Sequence, residues 1–179
     1  MMPPELLHTS GSGLIMYMFE SLREQIGGGK NHDFIDQKHV IISNILKQQS
    51  ECIFPRGSMR NGLIDGTKCQ SSKRKGDLFC LMCIANTTNG KNVLKNSLKL
   101  SDSKWKQFVQ CLKLYLAMEE WFHDFNDKDE VQSSRNEIAK VLKMMHRFFP
   151  HGDRLNGYCI PKMHASLKCR NISRYLEVV

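Results

Sequence analysis

A long helical period in the second half of the chain constrains the fold more than any other feature of the sequence. Apolar residues recur at spacings of three and four over 105–116 and again over 131–149. This spacing places them on one face of an α-helix, and a short polar run, 124–129, separates the two stretches. The pattern predicts two long helices, about 103–124 and 130–149, that pack antiparallel because the link between them is short.

The predicted pair has recognisable ends and a predicted core. Ser101 or Ser103 can cap the first helix, and Pro150 and Gly152 can end the second. The apolar faces that we expect to meet consist of Trp105, Phe108, Leu112 and Leu116 on one helix and Val131, Ile138, Leu142 and Met145 on the other.

Helical spacing also organises the N-terminal part of the chain. It predicts a helix over about 12–26, ended by Gly27, Gly28 and Gly29, and another over about 34–49. The apolar run 78–85 fits a buried helix or a buried strand, and its helical surroundings favour a helix, while 86–90 is predicted to be a turn-rich break. We therefore predict a mostly α fold.

The organisation along the chain is that of one helix-rich domain or fragment. We divide its 179 residues into N-terminal helices (1–50), a loop (55–76), a helical core (77–150) and a basic tail (151–179) that we expect to be truncated. A chain of this length buries roughly 70% of its unfolded surface, so it can form a core without disulfides or metals.

The loop is rich in glycine and strongly basic. The chain carries a formal net charge of +8, and six cations concentrate between 55 and 76, namely Arg56, Arg60, Lys68, Lys73, Arg74 and Lys75. Such a cluster suits contacts with the phosphates of a nucleic acid, which predicts DNA as a partner. A solvated loop in a generally basic protein is the alternative.

The cysteines indicate a reducing compartment. Their number, seven, is odd, and the N-terminus lacks a secretory pattern, so we expect an intracellular protein, nuclear or cytoplasmic. No apolar run reaches the roughly 20 residues that a membrane span needs, and no membrane partner is expected. Cys80 and Cys83 have the spacing of half a zinc site, which Cys69 or His123 could complete from a distance, or of a redox dithiol. Their apolar neighbours favour the alternative of two buried cysteines.

Several short strings of the chain form an ordered set of motifs. Glu5 and His8 form an acidic-x-x-His step, which the run from Gly13 to Tyr17 follows. The later strings are His32-Asp33-Phe34, the segment from Asn61 to Ser72, Glu119-Glu120-Trp121-Phe122-His123, Phe148-Phe149-Pro150 and Ile160-Pro161-Lys162-Met163-His164. The first two strings resemble the acidic-x-x-His step and the following helix of transposases from cut-and-paste DNA elements of the CACTA-like and Plavaka-like group, and the later strings resemble the helical insertion of that group.

The resemblance implies an RNase-H-like parent fold with three metal-binding carboxylates and magnesium as the metal. This chain departs from it, because Glu5 replaces the commoner Asp and the segments expected to carry the other two carboxylates are absent. Two-metal phosphoryl transfer needs carboxylates from separate strands, so we expect no catalysis and no cofactor in the isolated chain.

Three functional hypotheses follow. The first is a transposon-derived, catalytically incompetent fragment that binds nucleic acid without sequence preference, with the remaining transposase segments or a second copy as further partners. The second is a helical protein-interaction module that uses Trp121, Phe122 and Phe125. The third is a small metal- or thiol-dependent enzyme.

Overall fold

The computed structural model describes residues 14–49, 74–123 and 128–150, and describes side chains at 14–45, 76–119 and 136–150. These ranges contain six helices and no strand: α1 (Ile15–Ile26), α2 (Lys30–Gln49), α3 (Arg74–Ala85), α4 (Thr88–Ser97), α5 (Asp102–His123) and α6 (Lys128–Phe148). The predicted mostly α class is confirmed for the described part of the chain.

Glycines separate α1 from α2, as predicted. Gly27 and Gly29 adopt φ values of 68° and 92°, which glycine tolerates best, and the Gly27 N–H closes α1 on the Arg23 carbonyl at 3.0 Å. The second helix begins at Lys30, four residues before the predicted start at 34. Its first turn is polar and therefore carries no apolar period, but the Asp33 N–H already bonds to the Gly29 carbonyl at 3.1 Å.

The predicted boundary between the basic loop and α3 is wrong. The helix begins at Arg74, so Arg74 and Lys75 lie in its first turn and not in a loop that extends to Gly76. The helix tolerates Gly76 because one glycine destabilises a helix by only about 1 kcal/mol relative to Ala. Gly76 is buried, so packing around it can offset that cost. The rest of the predicted loop, 55–73, lies outside the described residues.

Helix α4 occupies a region where the sequence predicted only a break. The turn between α3 and α4 is two residues long, and Thr87 caps α4 by accepting the Gly90 N–H on Oγ1 at 3.1 Å. Gly90 permits a close approach, since a Cβ atom there would lie 2.1 Å from the Ile84 carbonyl oxygen. The sequence predicted a break because turn-forming residues occupy 86–90, whereas the chain begins a helix at the Thr87 cap and buries Leu94 in the core.

The predicted long pair is present and antiparallel. The Phe108 ring, near the start of α5, lies 5.8 Å from that of Phe148 and 5.7 Å from that of Phe149, at the end of α6. Ser101 precedes α5 as its cap, and its carbonyl accepts the Trp105 N–H at 2.8 Å. Most of the predicted faces are buried, including Trp105, Phe108, Leu112, Ile138, Leu142 and Met145, whereas Leu116 is half-buried and the Val131 side chain is outside the description.

Helix α3 lies at the centre of the fold. It contacts α1, α2, α4 and α5, and its Leu78, Leu81 and Ile84 side chains are fully buried. Within the described residues, no helix combines the length and the apolar composition that a membrane span requires. The outward-facing side chains of α4, α5 and α6 are exposed to solvent within the described ranges.

Candidate nucleic-acid interface

The cations predicted to bind phosphate fall mostly beyond the described part of the chain. Arg56, Arg60, Lys68 and Lys73 are outside it, and the backbones of Arg74 and Lys75 form the first turn of α3. Glu5 and His8, the residues of the transposase resemblance, are also outside it. Their roles stay predictions.

The described residues reveal a second concentration of positive charge. Segment 88–113 contains one carboxylate, Asp102, and six lysines: Lys91, Lys95, Lys99, Lys104, Lys106 and Lys113. By contrast, segment 14–45 contains three cations against four carboxylates. The α4–α5 segment therefore carries a larger excess of positive charge than the α1–α2 segment.

The turn between α4 and α5 brings several of these lysines together. Lys95 near the end of α4 forms an ion pair with Asp102 at the start of α5, with 2.8 Å between Nζ and Oδ1. We call the surface formed by Lys91, Lys95, Lys99, Lys104 and Lys106 the lysine corner. Lys95 is half-buried and the other four are exposed.

The lysine corner carries more positive charge than its one carboxylate, Asp102, can neutralise. The hydrogen bond and charge of Lys95 hold the pKa of Asp102 below its ordinary value, and the charges of Lys91 and Lys106 lower it further. Three lysines thus act on one carboxylate, which can compensate only one of them. An exposed excess of cations of this kind attracts polyanions such as nucleic acids.

The backbone at the corner projects Lys99 outward. Lys99 has a φ of 50°, its N–H bonds to the Asn96 carbonyl at 3.1 Å, and the Leu100 N–H bonds to the Lys95 carbonyl at 2.9 Å. These two bonds form a Schellman motif, which ends α4 and turns the chain into α5. The position usually carries glycine, but here it carries an exposed lysine.

Cys80 and Cys83 lie on α3, where the structure favours a packing role. Cys80 is fully buried, and burial raises the pKa of the half-buried Cys83 thiol. Metal binding and nucleophilic attack both need the thiolate, so burial opposes both. Among the residues with described positions, no three His, Cys, Asp or Glu side chains form a group that could hold a metal.

A buried polar pair escaped the sequence analysis. His39 interrupts the apolar stripe of α2, and its Nε2 lies 3.1 Å from Oδ1 of Asp77 in the first turn of α3. The His39 ring is fully buried and its Nδ1 has no hydrogen-bond partner in the structure. Because the His39 ring is fully buried and the Asp77 side chain is only 8% exposed, we interpret the pair as a link between α2 and α3 and not as a catalytic site.

Comparisons with known proteins identify no relative of this chain. No protein-family model matches this chain, and no curated protein or solved structure is detectably similar to it. The resemblance to transposases therefore depends on the short sequence strings alone.

Proposed function

We propose that this chain is a non-enzymatic helical protein that binds nucleic acid without sequence preference, and that the lysine corner is its main phosphate-binding surface. The observation that carries the proposal is the excess of six lysines over one carboxylate in segment 88–113. The convergence of Lys91, Lys95 and Lys106 on Asp102 supports it, since charges that meet in space act together on a polyanion.

The nature of the donors favours contacts with the backbone over sequence readout. Lysine ammonium groups bind phosphates as point charges, whereas the planar guanidinium of Arg is better suited to bidentate recognition. Phosphate contacts fix the position of a protein on nucleic acid but carry no sequence information. Two unrelated sequences of equal length should therefore bind with similar affinity.

The transposon origin is a hypothesis about descent that accompanies this proposal. Under it, the chain would keep a nucleic-acid-binding part of its parent without the metal-dependent chemistry. The direct check is an assay for nicking and joining of DNA with magnesium or manganese. Metal-dependent cleavage that disappears in Glu5→Gln would contradict the non-enzymatic proposal and support a catalytic role for the acidic residue.

A second candidate function is a protein-interaction module. The observation in its favour is a pair of isoleucines one turn apart on α2, Ile41 and Ile45, which are 50% and 46% exposed. Apolar side chains exposed together can dock a partner. Association through them would depend weakly on salt, whereas binding through the lysine corner would depend on it steeply.

Titration of fluorescent duplexes with the wild-type chain separates the two functions. We expect binding to two unrelated duplexes with similar affinity, and a loss of affinity of several fold for each phosphate contact between about 50 and about 200 mM salt. Concentration-dependent self-association that ignores salt, without nucleic-acid binding, would favour the interaction module.

A further inference from the structure

Beyond the lysine corner, the outward faces of α5 and α6 form a basic surface. The exposed cations at its centre are Lys106 and Lys113 on α5, and Lys140, Lys143 and Arg147 on α6. On each helix the outermost two are seven residues apart, which is about two turns, so they project from the same side. Because α5 and α6 are antiparallel neighbours, the two rows lie side by side.

A hydrogen bond across the helix pair joins the two rows. The Arg147 guanidinium donates from Nη1 to Oε1 of Gln107 at 3.1 Å, and both side chains are exposed. Gln107 directly follows Lys106, which belongs to the lysine corner. The contact therefore places the end of the α6 row beside the turn of α5 that carries Lys106.

Little negative charge opposes this surface. Among the described side chains of α5 and α6, two carboxylates are exposed, and each pairs with one lysine: Asp102 with Lys95, and Glu137 with Lys140 at 2.5 Å. The third carboxylate, Glu119, is 4% exposed and belongs to the interior. The surface consequently keeps a net positive charge.

The same helices offer no exposed Trp, Tyr or Phe ring within their described side chains. All five rings are buried, namely Trp105, Phe108, Tyr115, Phe148 and the adjoining Phe149. Proteins that bind single strands stack bases on exposed aromatic side chains, and each such contact contributes about 1–3 kcal/mol. Within its described side chains, the α5–α6 surface supplies cations without stacking on Trp, Tyr or Phe.

We infer that the outward faces of α5 and α6 bind the phosphate backbone of double-stranded nucleic acid in preference to a single strand. The inference rests on the proposed function and specifies its substrate class. A duplex presents a phosphate about every 1.7 Å along its axis, against about 3.4 Å for one strand, so two adjacent rows of cations can engage both of its backbones. Its bases are already stacked and need no aromatic platform.

The experiment compares one duplex with each of its separated strands by fluorescence anisotropy over a range of salt concentrations. It uses the wild-type chain, Lys113→Gln/Lys143→Gln, and the control Arg23→Gln/Lys30→Gln, which removes two exposed charges from α1 and α2. Gln keeps good helix propensity, and circular dichroism checks that each variant is folded.

We expect the duplex to bind more tightly than either strand at every salt concentration. Loss of Lys113 and Lys143 should lower the salt slope for the duplex by up to about two units, and the control should leave it unchanged. Equal affinity for duplex and strands, or an unchanged slope in the test variant, would overturn the inference while leaving salt-dependent binding, and so the proposed function, intact. If none of the three probes bound in a salt-dependent way, both the inference and the proposed function would be overturned.

Discussion

Lys95 and Asp102 link the end of α4 to the beginning of α5 by an ion pair of 2.8 Å between Nζ and Oδ1. The pair lies on the surface, where such contacts contribute little to stability. Its larger effect is on the electrostatics of the lysine corner, because Asp102 is the one carboxylate of segment 88–113.

Replacement of Asp102 by Asn should strengthen nucleic-acid binding. It removes the carboxylate that compensates Lys95 and frees that lysine to contact a phosphate, which should add up to about one unit to the salt slope. Because neighbouring lysines lower the pKa of Asp102, the carboxylate stays charged until the pH falls below the ordinary value for Asp, and the difference in affinity between the two proteins should disappear only there. Anisotropy titrations of both proteins at neutral and acidic pH test this, and a weaker-binding Asp102→Asn would contradict it.

Gly90→Ala should destabilise the fold. The added Cβ atom would lie 2.1 Å from the Ile84 carbonyl oxygen, and because that atom belongs to the backbone, no rotamer change can relieve the clash. Overpacking of this kind costs typically about 1–3 kcal/mol in the free energy of unfolding.

Gly28→Ala is the matched control for this change. A Cβ at Gly28 meets nothing within 4 Å, so we expect a shift within about 0.5 kcal/mol. Chemical denaturation of both variants gives the comparison, and equal stability would show that α4 does not approach α3 as closely as described.

Leu112→Ala tests the predicted core of the helix pair. Leu112 is fully buried on α5, and truncation of such a side chain costs about 2–5 kcal/mol in the free energy of unfolding. The exposed neighbour Lys113 provides the control, since Lys113→Ala should change stability by less than about 0.5 kcal/mol. If Leu112→Ala lowered the free energy of unfolding by less than about 0.5 kcal/mol, Leu112 would not belong to the core.

Alkylation should modify Cys111 far more slowly in the native than in the unfolded protein. Burial raises the pKa of its thiol to about 12, so the reactive thiolate is scarce at neutral pH, and the side chain is fully buried. Cys83 is half-buried and should react earlier. Mass spectrometry of peptides after timed treatment with iodoacetamide measures both, and native labelling of Cys111 at the unfolded rate would contradict its burial.

Sequence reasoning predicted the parts of the fold that depend on long periodic patterns. The stripes over 105–116 and 131–149 placed α5 and α6 within two residues of their bounds, and the glycines at 27–29 correctly separated α1 from α2. A long stripe is reliable because one buried face both forms the helix and packs it.

The candidate site was harder to predict, because its residues meet only in space. Lys91 and Lys106 are fifteen positions apart and act together on Asp102 through a turn that ends a helix absent from the prediction. His39 and Asp77 likewise come from different helices, and nothing in either local sequence marks the other as a partner. The cations between 55 and 76 form a dense run in the sequence, whereas the lysines of α4 and α5 are spread over 91–113 and come together only in the fold.

The salt dependence of duplex binding by Lys91→Gln/Lys106→Gln tests the central proposal most directly. The variant removes two exposed cations from the lysine corner and keeps the Lys95–Asp102 pair, and Arg23→Gln/Lys30→Gln removes two exposed cations from α1 and α2 as the control. We predict that the corner variant lowers the slope of log affinity against log salt by up to about two units for any duplex sequence, while the control leaves the slope unchanged. An unchanged slope in the corner variant, or an equal fall in the control, would contradict a phosphate-binding role for the lysine corner.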